Sequence, residues 1–262
     1  MNLQNQLQKF LKIAVSLCLI GSLLSSCSQL SAAIKPQQPE PKLSESKISD
    51  VYQYNRVHSS DGIGKIYMGR EIAQVMGHEG AAWLERPSRE SSEQPQQLVN
   101  SLELKSTDWV ADLGAGTGYF TFRMSPLLPE GKVFAVDIQP EMLELMNFVK
   151  TEEDIQNIET VLGQADNPNL PPDQIDLALM VDAYHEFSYP REMMENLLKA
   201  LKPGGRIAVV EYRKENPLIM IKPLHKMTEK QVRREMEAVG FTWLKTDSAL
   251  PQQHIVFFQK PV

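Results

Sequence analysis

The sequence predicts an α/β doubly wound fold, and three observations carry that expectation. Short apolar runs alternate with amphipathic segments from about Leu98 to the C-terminus, the pattern of strand–helix crossovers in a mainly parallel sheet. The first apolar run leads straight into "GAGTG", Gly114 to Gly118, and then into a helical segment. The last two runs, "FTWLKT" and "HIVFFQK", follow one another with no helix between them, so the last strand is expected to be antiparallel.

Each element has a local reason. "DWVADLG" is short and apolar, a buried strand. "YFTFRMSPLL" is helical until Pro126 and Pro129 interfere. "KVFAVDI" is the second strand. "PEMLELMNFVK" places Pro140 in the first turn of a helix with apolar residues at helical spacing. "IETVLG" and "IDLALMVDA" are the next strands, and "PREMMENLLKAL" is a helix closed by "KPGG". "RIAVVEY" follows as a strand. "TEKQVRREMEAVG" is a helix with Thr228 as N-cap and Gly240 at its end. Upstream, Gln96 to Leu104 reads as a short helix, and residues 51–97 read as short helices and turns with no clean strand, a cap on the main domain of residues 98–262.

The start of the chain has a different character. "MNLQNQLQKFLK" carries Lys9 and Lys12 and no acid, and the apolar run from Ile13 to about Leu24 is too short for a stable membrane span. This layout predicts a secretory signal over residues 1–26. "LSSC", Leu24 to Cys27, resembles the lipobox of bacterial lipoproteins, which implies a lipid on Cys27 and an exported, membrane-anchored protein. Of the two cysteines, Cys18 leaves with the signal, so no disulfide is expected. Residues 27–50 are rich in Pro, Gln, Ser and charge and read as a flexible tether.

Composition narrows the partners. The 27 basic and 33 acidic side chains give a formal charge of -6, with no stripe of Lys and Arg, which argues against nucleic acid. Losing Lys9 and Lys12 with the signal makes the balance 25 to 33.

A strand, a glycine loop and a helix form the usual seat of a nucleotide-like ligand. "GAGTGYF" has no Lys, which excludes a phosphate loop of the Gly-Lys-Ser/Thr kind. A dinucleotide loop wants a third glycine where Tyr119 stands. Asp137 ends the next strand about 20 residues on, where an acid holds ribose hydroxyls in either remaining reading.

The order of further segments selects between them. "DLGAGTG" (Asp112 to Gly118), "GQADNPNLP", "IDLALMVDAYHEF", "LLKALKPGGRIAVVEY" and "MTEKQVRREMEAVGF" together resemble class I S-adenosylmethionine-dependent methyltransferases over about Leu98 to Gln259. The resemblance implies the strand order 3-2-1-4-5-7-6 and methyl transfer from S-adenosylmethionine. It implies cofactor contacts at Asp112, Gly114, Ala115, Gly116, Gly118, Asp137, Ile138 and Asp182, with Asp166 at the adenine. For Asp112 the alternative is a staple of the loop's own backbone. "YMGREIAQVMGHEGAAWLERPSRE" resembles a bacterial subgroup of the same methyltransferases, and its Tyr67, Arg70, His78, Glu79, Trp83 and Arg86 are candidate pocket residues.

In that strand order, "DAYHEF", "EYR" and the start of the last strand meet at one sheet edge. Asp182, Tyr184, His185, Glu186, Glu211, Tyr212, Arg213 and His254 are therefore expected to converge there. His185 is the candidate general base, with Tyr184 and His254 as further catalytic candidates. "HKMTEKQ", with His225 and Lys226, lies in a second segment where the family shapes its acceptor site. No metal site is expected, because His185, His254 and an acid do not form a known ligand spacing. The acceptor is expected to be a small molecule. "DAYHEF" lacks the Asn/Asp-Pro-Pro-aromatic motif used on base amino groups. Two other readings remain open: a nicotinamide-dependent oxidoreductase, and a non-catalytic exported binding module on the same fold.

Overall fold

The computed structural model describes residues 51–262, of which Gln53–Val262 form one unit. The segments expected to form a signal (residues 1–26), a lipidated Cys27 and a tether (residues 27–50) lie outside the described residues.

The cap differs from expectation at its start. Gly62–Tyr67 (β1) and Arg70–Ala73 (β2) pair as an antiparallel hairpin. Met68 and Gly69 form its two-residue turn, both with positive φ (46° and 85°), as a type I′ turn requires. A methionine in the left-handed region is not the Asn-Gly signal of such a turn, and two glycines obscure the alternation of β1. Past the hairpin the cap is helical in short pieces: Ala81–Leu84 (α1), Arg89–Ser92 (α2) and Pro95–Ser101 (α3).

The main domain follows the predicted alternation. Its elements are Trp109–Leu113 (β3), Thr121–Met124 (α4), Lys132–Asp137 (β4), Pro140–Glu152 (α5), Ile158–Leu162 (β5), Ile175–Val181 (β6) and Pro190–Ala200 (α6). Leu201–Tyr212 (β7), Glu229–Val239 (α7), Thr242–Asp247 (β8) and Gln253–Gln259 (β9) complete it. The sheet order is β5-β4-β3-β6-β7-β9-β8, which is 3-2-1-4-5-7-6 for its strands counted along the chain. β9 runs antiparallel to both β7 and β8.

Burial explains why these runs are strands. Leu177, Ala178, Leu179 and Met180 of β6 are fully buried, so both faces of the central sheet are covered, as helices on both sides demand. α5 buries Met142, Leu143, Leu145, Met146 and Val149. At α7, the Thr228 side chain accepts from the Gln231 amide at 3.1 Å and Gly240 ends the helix at φ 111°, as the sequence predicts. "KPGG", expected to close the preceding helix, is drawn into the start of β7: Leu201 pairs Ile175 and Arg206 pairs Leu177, with Gly204 at φ 74° absorbing the extra residues.

Parallel strands bring their C-terminal ends to one edge. There stand the glycine loop after β3, Asp137 of β4, Gly163 after β5, Asp182 after β6 and Tyr212 of β7. Because β9 is antiparallel, its first residue, Gln253, lies opposite Tyr212 at that edge.

Candidate active site

A cavity of about 560 Å³ opens along this edge. Gly114, Gly116, Asp137, Ile138, Gly163 and Asp182 line it on the sheet side. Trp83, Leu84 and Arg89 of the cap line it too, as do Asp61, His185, Glu186, Lys222 and His225.

The loop end is built by backbone geometry. Gly114 (φ 71°) and Gly116 (φ 55°) occupy the left-handed region, and the amides of Gly114 and Ala115 both donate to the Val136 carbonyl, at 2.9 and 3.0 Å. A Cβ on Gly114 would stand 2.7 Å from the Ala183 Cβ. Asp137 is buried, and its Oδ2 accepts from the Gly116 amide at 2.8 Å while Oδ1 accepts from the Gln139 amide at 2.9 Å. Each carboxylate oxygen keeps a further lone pair. Burial raises the Asp137 pKa, with these amides working against the rise. Asp182 Oδ2 accepts from Gln253 Nε2 at 2.7 Å, whereas its Oδ1 is shielded from solvent and has no hydrogen-bond partner. Such an orphaned acceptor at a cavity wall marks a place for a ligand's donor.

The cap is tied to this loop by charge-assisted bonds. Thr117 Oγ1 donates to Glu85 Oε1 at 2.6 Å, and Tyr119 OH donates to Glu90 Oε1 at 2.8 Å. Buried Arg89 donates through Nε to Glu93 Oε2 at 2.6 Å, and Tyr212 OH donates to Glu93 Oε1 at 2.7 Å. Arg86 also donates to Glu93 and stacks over Trp83, its guanidinium carbon 3.5 Å from the ring centre.

At the other end a polar cluster forms around His185. Its Nδ1 lies 2.7 Å from Glu211 Oε2 and its Nε2 lies 3.0 Å from His225 Nδ1. Glu186 Oε2 accepts from the Met76 amide at 3.1 Å, which leaves Oε1 to face His225 Nδ1 at 3.2 Å. Arg70 Nη1 donates to the His185 carbonyl at 3.1 Å and holds this turn against the hairpin. Burial pushes the His185 pKa down to about 3 and the Glu211 pKa up to about 8, because both lose water and neither charge is welcome there. Burial opposes a charge on His225 as well. Hydrogen bonding to Glu186, together with the Glu186 and Asp61 charges, outweighs it and raises the His225 pKa.

Several expected residues sit elsewhere. Tyr184 does not line the cavity: it is in the core, where its OH donates to Glu235 Oε2 at 2.8 Å. His254 is buried in β9 opposite Glu211, outside the cavity lining. Asp112 also lies outside it and accepts from Thr121 Oγ1 at 2.6 Å, the staple alternative. Ala115 and Gly118 support the loop without lining the cavity, and a Cβ on Gly118 would stand 2.6 Å from the Phe122 ring. In place of Asp166, its neighbours Gly163 and Ala165 reach the cavity. Arg213 turns to the carbonyls of Ser248, Leu250 and Pro251. Arg89, Asp61 and Lys222 were not among the sequence candidates, since nothing local in sequence distinguishes them from solvated charges.

The family is evident by comparison. A methyltransferase-domain family model matches residues 104–254, more than half of the chain. The uncharacterized methyltransferase YcgJ of Bacillus subtilis is 25% identical over 168 residues, covering 63% of this chain and 66% of its own. A ubiquinone/menaquinone biosynthesis C-methyltransferase UbiE of Pseudomonas paraeruginosa is 27% identical over 121 residues, 45% of this chain and 47% of that one. The chain thus spans about half to two-thirds of the length of the curated relatives it matches. Among solved structures, a SAM-dependent methyltransferase from Aquifex aeolicus superposes with a TM-score of 0.67 at 24% identity, over 71% of this chain and 99% of that one, a likeness of fold. On its sequence and its sheet, the chain belongs to the methyltransferase-domain family.

Proposed function

We propose that this protein transfers the methyl group of S-adenosylmethionine to a small-molecule acceptor. The observation that carries the reading is the cavity that joins the glycine loop and Asp137 to the His185–Glu186–His225 cluster under one cap. The residues present fit the donor. Asp137 has lone pairs left for two ribose hydroxyls, Gly114 and Gly116 admit close approach, Asp182 Oδ1 awaits a donor such as an ammonium, and Arg89, held by Glu93, lines the same cavity. When bound, the sulfonium supplies an electrophilic methyl group with a good leaving group.

The chain's own part is alignment and exclusion of water. Trp83, Leu84 and Met76 of the cap give the cavity apolar walls, and the Glu85–Thr117 and Glu93–Tyr212 bonds fix that cap on the sheet. His185 is a poor general base at neutral pH, because burial holds its imidazole neutral down to about pH 3. Its role in this reading is to shape the acceptor end with Glu186 and His225.

Incubating the full chain with methyl-labelled donor and a fractionated small-molecule extract tests this. Label is expected in a low-molecular-weight product only when the chain is present. A chain that binds the donor yet labels no fraction overturns transfer and favours a binding module. The Leu24–Cys27 segment supports placement of the same activity at a membrane surface. Loss of a metabolically incorporated lipid on Cys27→Ser tests that placement, and an unlabelled parent chain overturns it.

A further inference from the structure

We propose that His185, Glu186 and His225 bind a first-row divalent transition-metal cation at the acceptor end of the cavity. Three metal-ligating atoms converge there: His185 Nε2, His225 Nδ1 and Glu186 Oε1. Their separations are 3.0 Å between the nitrogens, 3.2 Å from His225 Nδ1 to the carboxylate oxygen and 3.7 Å from His185 Nε2 to it. Two ligands about 2.1 Å from one cation and 90–109° apart stand roughly 3.0–3.4 Å from each other, so these spacings are close to the edges of a coordination polyhedron. A triangle with those edges has a circumradius of about 1.9 Å. A point about 2.1 Å from all three atoms therefore lies just off their plane and leaves one side open.

The surroundings hold the three ligands in place. His185 Nδ1 is bonded to Glu211, so with that proton on the ring, Nε2 presents its lone pair to the cluster. A buried carboxylate behind a ligating imidazole is the usual support of a metal-bound histidine. His225 has a carboxylate behind it too: Nε2 is 3.2 Å from Asp61 Oδ2. Glu186 is anchored by one oxygen on the Met76 amide and offers the other. Two ring nitrogens 3.0 Å apart need either a ring proton of His225 or a metal ion between them. Two imidazoles and one carboxylate suit zinc, iron, cobalt or nickel better than magnesium or calcium.

All three residues line the cavity, so the open side of the cation faces the acceptor's space. On the methyl-transfer reading, on which this clause rests, the acceptor is a hydroxyl- or thiol-bearing molecule that completes the coordination shell. The cation would lower the pKa of the bound hydroxyl or thiol, whose proton leaves to bulk water as the oxygen or sulfur joins the coordination shell.

The test uses the full chain, stripped with chelator, dialysed and titrated with Co2+ in the absence of any methyl donor. One equivalent is expected to develop visible ligand-field absorption that Zn2+ abolishes by displacement. Glu186→Gln and His225→Gln are each expected to weaken binding at least about 100-fold, and Glu211→Gln about 10-fold. His58→Gln, outside the cluster, should bind as the parent does. In the unsubstituted chain, Zn2+ should protect His225 from diethyl pyrocarbonate, a readout independent of whether the variants fold. No stoichiometric spectrum, equal affinity in the Glu186 and His225 variants, or no protection of His225 would each overturn the site and leave a proton as the occupant. Cation binding without donor binding would remove the methyl-transfer reading and keep the site, and the converse would remove the site alone.

Discussion

Arg70 fastens the hairpin to the domain through a buried ion pair. Its Nε donates to Glu235 Oε1 at 2.7 Å and its Nη2 to Glu235 Oε2 at 3.0 Å, a two-point bond with Glu235 fully buried. Tyr184 OH and Gln231 Nε2 complete the carboxylate's hydrogen bonds at 2.8 and 2.6 Å. Arg70→Met removes the countercharge but leaves those two donors. Breaking a buried pair from one side costs about 3–5 kcal/mol, and the surviving donors put this case near about 3 kcal/mol. For a chain of this size that is a fall in Tm of roughly 6–12 °C. Replacing both partners, Arg70→Met with Glu235→Leu, removes the orphaned charge and should recover most of the loss. Urea denaturation of the full chain at neutral pH, with thermal melts alongside, measures both. A single variant within about 1 kcal/mol of the parent, or a double variant less stable than the single, would refute the reasoning. Because Arg70 also donates to the His185 carbonyl, the single variant should disturb the acceptor end as well.

Further outcomes follow from other contacts. Burial raises the Asp112 pKa from its ordinary 3.8 to about 6, so the folded state holds that proton longer than the unfolded state does. The stability it contributes is present below pH 3.8 and is lost as pH rises through 6. Between those pH values Asp112→Asn should therefore gain on the parent by up to about 3 kcal/mol, and parallel pH–stability curves would contradict this. Gly116→Ala forces a Cβ into the left-handed region and to within 2.8 Å of Leu84 Cδ1. It should cost about 1–2 kcal/mol of stability and weaken donor binding further; undiminished donor affinity in calorimetry would remove Gly116 from the site. Thr228→Ala should lower stability by about 1 kcal/mol through loss of the α7 cap, and an unchanged urea midpoint would show that the cap contributes nothing.

The alternation of strands and helices was legible because both faces of the sheet are covered, which makes strands such as "IDLALMV" continuous apolar runs. The glycine loop and Asp137 were legible for a related reason: close approach of a ligand restricts residue types locally. The hairpin was not, since its turn uses Met68 in a conformation methionine rarely adopts. Side-chain direction was the other limit. Topology brings Tyr184 and His185 to the same edge, yet in the short turn after β6 one side chain enters the core toward Glu235 and the other faces His225. The pairing of His185 with His225, 40 residues apart, depends on a connection whose course no local pattern specifies.

The central claim is that the loop end of the cavity holds S-adenosylmethionine, and calorimetric titration of the full chain with the donor and with S-adenosylhomocysteine tests it most directly. The parent should bind either ligand saturably at one site. Asp137→Asn should bind about 100-fold more weakly, from the loss of roughly 3 kcal/mol of charged hydrogen bonding to the ribose. A folded parent chain that binds neither ligand, or an Asp137→Asn chain that binds as tightly as the parent, would contradict the account.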